Sequence, residues 1–184
     1  MPYLYAAAVE AAQTGTPLLR PMVLEFSDDL TAQMLDRQYM LGGSLLAAPV
    51  FTESGEVDYY LPEGLWTRFD DGTPVTGGAW QKEKHGFMSL PLLARPGSVI
   101  PLGAVDSRPD YDYADNLALH VFALEDGAEN TLTIPDLKGQ PAAVFTLRRE
   151  GALLRVRTDS AQPFDVILHN MPGVAVEVTL VSQD

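Results

Sequence analysis

Cysteine is absent from the 184 residues, so neither a disulfide framework nor a thiolate metal site can form, a composition that suits a cytoplasmic protein. Long apolar runs are absent as well. The longest, at residues 45–50 and 90–94, fall far short of the roughly 20 residues that cross a bilayer. Met1 is not followed by a basic region and an apolar signal core, which gives no reason to expect export. Basic residues are scarce, 12 against 25 acidic ones, for a net charge of −13. That field repels phosphate backbones and anionic lipid and counts against nucleic-acid and membrane-surface roles, while a neutral substrate is unaffected. Histidine is rare: His85, His120 and His169 stand on separate segments, with no H-E-x-x-H or related spacing to suggest a metal or a catalytic base. Ser44 and Ser89 lack a G-x-S-x-G context, so a serine hydrolase has no support.

What is present is an ordinary folding composition, 46% apolar and 20% charged. The opening MPYLYAAAVEAAQTG reads as a helix of about three turns, with Pro2 in its first turn and Gly15 at its stop. LLRPMVLEF predicts a buried strand that ends or bends at Pro21. Ser27, Asp28 and Asp29 offer capping oxygens and first-turn charge for a helix through about Met40, with Leu30, Met34, Leu35 and Tyr39 inward. Gly42 and Gly43 stop it, and SLLAAPV predicts a second buried strand. Strand, helix, strand is the pattern of a parallel sheet with a crossover helix. Arg20 lies inside an apolar strand, where it needs a carboxylate, and Glu25 or a residue upstream can supply one.

From Phe51 the period turns to two. VDYYL, LWTRF, FMSLPLLA and SVIPL are punctuated by Pro62-Glu63-Gly64, Asp70-Asp71-Gly72 and Arg95-Pro96-Gly97. After an acidic joint, LALHVFAL, TLTIPD, AAVFTLRRE, ALLRVRT, FDVILHN and VAVEVTL are six further strand candidates. The expected fold class is mainly β: two small antiparallel β-sandwich units, 51–105 and 106–184, preceded at 1–50 by apolar strands and helices too few to close a barrel.

Taken in order, TGTPLLRPMVLEF, QYMLGGSLLAAPV, YYLPEGLW, LLARPGSVIPLG and DNLALHVF resemble the carboxyl-terminal part of glycoside hydrolase family 31, the α-xylosidase and α-glucosidase group, with the α-xylosidase branch nearest. The resemblance implies that residues 1–50 are the last strands and helices of an incomplete (β/α)8 barrel, followed by a proximal sandwich and a distal β domain. It also implies a retaining enzyme that releases terminal α-linked xylose or glucose from an oligosaccharide, without metal or organic cofactor. The family's nucleophilic aspartate lies in a D-x-x-E motif, its acid/base aspartate follows a later barrel strand, and both precede the region resembled. This chain is therefore expected to supply no catalytic, substrate-binding or metal-binding residue, and to be inactive alone. Its expected partner is the missing upstream barrel portion, or another copy of itself. A stand-alone β-sandwich module that binds carbohydrate or protein is the alternative.

The chemistry-bearing residues fit that view. Asp126-Gly127-Ala128-Glu129 is the only D-x-x-E in the chain, but Asp-Gly is a hairpin signal and no barrel strand precedes it. Asp106, Asp110, Asp112 and Asp115, around Tyr111 and Tyr113, lack the glycine and terminal glutamate of an EF-hand loop. They read as a solvated joint, and α-xylosidase-type relatives resemble the chain at RPDYDY. Trp66, Trp80, Tyr59 and Tyr60 can stack on sugar rings or pack inside the sandwich, and both uses favour the same positions.

Overall fold

The computed structural model describes residues 1–181 and resolves the chain into two compact units, one of Thr16–Pro96 (the middle unit) and one of Met1–Gly15 with the chain from Gly97 on (the terminal unit). Helix α1 (Pro2–Thr14) forms where expected. Pro2 occupies the first turn, where a missing N–H costs nothing. Gly15 takes the left-handed conformation (φ 80°) that lets its N–H donate to the Ala11 carbonyl at 3.0 Å. The helix buries Pro2 and Ala7 and lays Tyr5 on the core of the terminal unit.

The middle unit contains β1 (Leu19–Pro21), α2 (Met22–Glu25), β2 (Tyr39–Leu41), β3 (Leu45–Ala47), β4 (Glu56–Leu61), β5 (Leu65–Arg68), β6 (Pro74–Thr76), β7 (Ala79–Lys84) and β8 (Leu92–Ala94). Six strands form one sheet in the order β1-β2-β3-β8-β5-β6, and β4 pairs with β7 as a separate ribbon. Met40, Leu46, Trp66 and Leu93 from the sheet share one core with Val57, Tyr59 and Leu61 from the ribbon, which makes the unit a two-layer sandwich. The turn at Pro62-Glu63-Gly64 carries the chain from ribbon to sheet. It is pinned from the far side by Gly77, whose N–H donates to the Gly64 carbonyl at 2.8 Å. A Cβ at Gly77 would run into the Pro62 carbonyl and crowd Trp66.

The parallel strand–helix–strand pattern expected of residues 1–50 does not form. β1, β2 and β3 pair antiparallel with one another, and β3 pairs antiparallel with β8. The predicted long strand stops after three residues because Pro21, without an N–H, ends the ladder and starts the single turn α2. The predicted helix to Met40 collapses to one 3-10 turn, Ala32–Met34. Its cap is real, since the Asp29 carboxylate accepts from the N–H groups of Thr31 and Ala32 at 2.9 and 3.2 Å. Downstream, however, the buried Gln38 amide donates to the Tyr60 carbonyl at 2.7 Å and accepts from its N–H at 2.8 Å. That backbone-like clamp, with strand pairing on both sides, holds the segment extended against its helix propensity. Leu30 and Met34, expected inward, are 78% and 84% exposed.

In the terminal unit β9 (Val99–Leu102), β10 (Leu117–Phe122), β11 (Glu129–Pro135), β12 (Pro141–Glu150), β13 (Leu153–Thr158), β14 (Phe164–His169) and β15 (Ala175–Leu180) follow α1. All six strand candidates beyond the acidic joint are present. Together with β9, which was expected in the 51–105 unit, they build a three-stranded sheet, β14-β10-β9, and a four-stranded one, β11-β12-β13-β15, whose inner faces meet through Leu117, Leu119, Val121, Ile134, Phe145, Leu147, Leu154 and Val156. The pairing is not wholly antiparallel as expected. β10 with β14 and β13 with β15 run parallel, because the chain leaves β13 for the opposite sheet and then returns beside it. The acidic joint also differs from a solvated linker. Tyr111 and Tyr113 are buried in the core with rings edge to face at 5.0 Å, and Tyr5 packs on Tyr113.

The Tyr113 hydroxyl donates to the Pro109 carbonyl at 2.7 Å, whereas the buried Tyr111 hydroxyl has no partner. An unpaired buried hydroxyl costs about 1–3 kcal/mol. Tyr111→Phe is therefore expected to raise stability by roughly 1 kcal/mol in urea unfolding followed by circular dichroism, while Phe145→Ala in the same core should lower it by about 3–5 kcal/mol. A destabilised Tyr111→Phe would show that the hydroxyl is satisfied in solution.

Candidate functional site

Two polar clusters in the middle unit and one in the terminal unit bring together groups capable of chemistry. The first is centred on Glu83 of β7. Its carboxylate accepts from the Tyr59 hydroxyl of β4, from both terminal nitrogens of Arg68 on β5 (one at 2.9 Å) and interacts with His85 Nε2 at 2.8 Å. His85 Nδ1 lies 3.1 Å from the Ser89 hydroxyl. Strand alternation explains the meeting: Tyr59, Glu83 and His85 fall on one face of the ribbon, and Arg68 comes from the sheet layer. Burial opposes ionisation of Glu83, but the hydrogen bonds from Arg68, Tyr59 and His85 outweigh it and hold the carboxyl at about 2. Burial, then Glu83, pushes the Tyr59 phenol well above its ordinary range, so it remains a donor.

Ser89, His85 and Glu83 thus stand in a serine–histidine–acid order without the G-x-S-x-G context that marks a nucleophilic serine. Glu83 is committed to a fork of arginine hydrogen bonds, and the Ser89 N–H is spent on the Gly86 carbonyl at 3.2 Å, where an oxyanion would need a free donor.

The second cluster joins β1, α2 and the chain after β8. Arg20, only 6% exposed, donates to Glu25 at 2.8 Å, and Arg95 donates to the other oxygen of the same carboxylate at 2.9 Å. Glu25 is thus the carboxylate that Arg20 requires. Arg95 also lies over the Phe26 ring at 4.6 Å. Beside this triad opens a concavity of about 630 Å³ lined by Glu25, Phe26, Ser27, Asp28, Asp29, Leu30, Thr31, Tyr60, Pro62 and Glu63.

In the terminal unit His120 and His169, far apart in sequence, meet on the parallel strands β10 and β14. Their rings stack at 5.1 Å with Nδ1 of one 2.9 Å from Nε2 of the other, and both stack on Phe122. Burial pushes both imidazoles down, and the neighbouring His169 adds to the effect on His120. Parallel pairing puts the two histidines together, and no local pattern in the sequence encodes that pairing. Among the described residues no three His, Asp or Glu side chains converge as metal ligands.

Of the other residues singled out, Asp126 accepts from the Gly151 N–H at 2.6 Å and Glu129 pairs with Arg148 at 3.6 Å. The D-x-x-E is a turn, but it joins two sheets rather than two paired strands. Asp112 accepts from the Ala114 N–H at 3.0 Å within the joint. Trp66 and Tyr59 are core residues, whereas Trp80 is 59% exposed with its ring 5.9 Å from that of Tyr60. Ser44 lies before β3, and its carbonyl accepts from the Arg95 N–H at 2.8 Å.

Comparison with known proteins agrees with this architecture. The family model described as "Glycosyl hydrolase family 31 C-terminal domain" matches residues 15–100, and "Alpha-xylosidase YicI, C-terminal domain" matches residues 112–182. The chain belongs to the carboxyl-terminal region of glycoside hydrolase family 31. It is 45% identical over 128 residues to an alpha-xylosidase of Emericella nidulans, a match that covers 65% of this chain and 16% of that protein. It is 37% identical over 165 residues to the alpha-xylosidase XylQ of Lactiplantibacillus pentosus, covering 86% and 21%. A solved GH31 dextranase of Flavobacterium johnsoniae superposes with a TM-score of 0.70 at 27% identity, over 82% of this chain and 20% of that one. The chain thus spans about a fifth or less of the curated relatives' length.

Two titrations follow. Glu83 has a folded pKa below its ordinary 4.5, so its contribution is complete above pH 4.5 and is lost as pH falls towards 2. Allowing for solvent screening, wild type should lose on the order of 1–2 kcal/mol across that window that Glu83→Gln does not lose. The histidine pair also binds protons less readily when folded. Stability should therefore begin to fall as pH drops below 6.5, and His120→Gln should flatten that slope. Both are read from urea midpoints measured against pH, and slopes identical to wild type would contradict the assignments.

Proposed function

We propose that the chain is the carboxyl-terminal portion of a retaining family 31 α-glycosidase of the α-xylosidase kind, acting on terminal α-linked xylose or glucose. In this reading it buttresses the catalytic barrel and is inactive by itself. The observation that carries the reading is the consecutive match of the two family models across both units. Each unit supports it physically. Glu83, Glu25, Asp29, Asp126 and Glu129 are all engaged in structural bonds. Asp28 and Glu63 are solvent-exposed, whereas a glycosidase acid is a carboxyl withdrawn from water.

Of the expected division at about residues 50 and 105, we retain α1 as the closing element of the barrel. Thr16–Pro96 then forms the proximal domain and the chain from Gly97 the distal one. The exposed Leu19, Val23, Leu24, Phe87 and Met88 of the middle unit favour a docked state over a free module, since apolar surface removed from water is worth about 25 cal/mol per Å². No helix among the described residues is long and apolar enough to cross a membrane.

The purified chain is expected to release no nitrophenol from aryl α-xylosides or α-glucosides. Co-expression with an upstream family 31 barrel carrying the D-x-x-E aspartate should give a stable complex by size-exclusion chromatography, and activity should appear only in that complex. Turnover by the chain alone, abolished by Asp28→Asn or Glu63→Gln, would overturn the reading.

A further inference from the structure

The concavity beside the Glu25 triad has the chemistry of a ligand site of its own. Its floor is Tyr60, buried to 9% exposure and fixed along its backbone by Gln38. Its wall is the turn of residues 27–31, held in shape by the Asp29 carboxylate on the Thr31 and Ala32 N–H groups. Glu25 and Phe26 close its end and are themselves locked by Arg20 and Arg95. Trp80 stands opposite Tyr60 in the β4–β7 register, with its ring 5.9 Å away and 59% exposed. The hollow of about 630 Å³ lies within the usual size range of ligand pockets, roughly 300–1,000 Å³, and Trp80, which is not part of its lining, adjoins it through the ring of Tyr60.

We propose that the middle unit carries a saccharide-binding groove, with Tyr60 as floor, Trp80 as stacking platform and the exposed carboxylates of Asp28 and Glu63 as hydroxyl acceptors, and that it takes a neutral oligosaccharide. The aromatic faces match the C–H faces of pyranose rings. Vicinal hydroxyls donate charge-assisted hydrogen bonds to carboxylates, which are stronger than neutral ones. Ser27 and Thr31 add hydroxyls at the rim. The acidic lining and the net charge of −13 exclude phosphorylated sugars and uronates. The groove rests on this geometry and not on which bond the complete enzyme cleaves.

Intrinsic fluorescence tests it, because Trp80 is exposed and the other tryptophan, Trp66, is fully buried. Maltotriose is expected to change the emission of the 184-residue chain saturably with a dissociation constant on the order of 1 mM, while trigalacturonate leaves it unchanged. Trp80→Ala, checked for folding by circular dichroism and assayed by calorimetry, should weaken binding at least tenfold, as should Asp28→Asn with Glu63→Gln. Phe87→Ala, an exposed aromatic outside the groove, should bind as wild type. No saturable response to 20-fold the expected constant, unaltered binding by folded Trp80→Ala, or a response that requires calcium and not sugar would each overturn the proposal. None of these outcomes depends on hydrolysis, so failure here leaves the glycosidase reading to its own assay.

Discussion

The Glu25 carboxylate is the constraint on which the middle unit turns. Arg20 sits inside a three-residue strand and is almost wholly buried, and a buried guanidinium without a counter-charge costs several kcal/mol. Pro21 breaks the strand immediately after it, and the single turn of α2 brings Glu25 back within 2.8 Å. The second carboxylate oxygen then takes Arg95, which follows β8, so a local ion pair becomes a tie between residues 70 positions apart. Arg95 in turn covers Phe26, which lies near Trp66 in the core. Charge satisfaction for Arg20 and the tie between α2 and the chain after β8 thus run through one side chain.

How much of this was legible in the sequence depends on the range of the interaction responsible. Helix α1 was readable because its proline, its alanines and its glycine stop all act within a few residues. The six strands of the terminal unit were readable because alternation and turn residues are local too. The predicted helix after Ser27 failed although its cap is real, because Gln38 makes a pair of hydrogen bonds with the backbone 22 residues away. Propensity differences of a few tenths of a kcal/mol per residue do not withstand two buried hydrogen bonds and a paired strand on either side. The parallel pairs β10–β14 and β13–β15 lie beyond local reading for the same reason, and with them the meeting of His120 and His169.

The polar clusters follow the same division. The need of Arg20 for a carboxylate could be read from composition alone, since a charge in an apolar strand requires a partner and Glu25 is near. The Glu83 cluster could not, because Tyr59, Arg68 and His85 reach it from two layers of the sandwich and the loop beyond β7. Conversely, the pattern that looked most chemical, Asp126 to Glu129, is occupied in holding a turn and an edge pair.

The recognisable segments are glycines, prolines and charged residues at turns, which a sandwich fixes tightly because each serves a specific backbone geometry or ion pair. Gly77 faces the Pro62 carbonyl, Arg95 answers Glu25, and Gly15 ends α1. Catalysis by a carboxylate pair asks for two such groups left free of structural duty and converging on one pocket. Here Glu25 and Asp29, the carboxylates that reach the walls of the concavity from inside the fold, are both spent on holding those walls in place. What they leave is an acidic, aromatic hollow suited to holding a sugar.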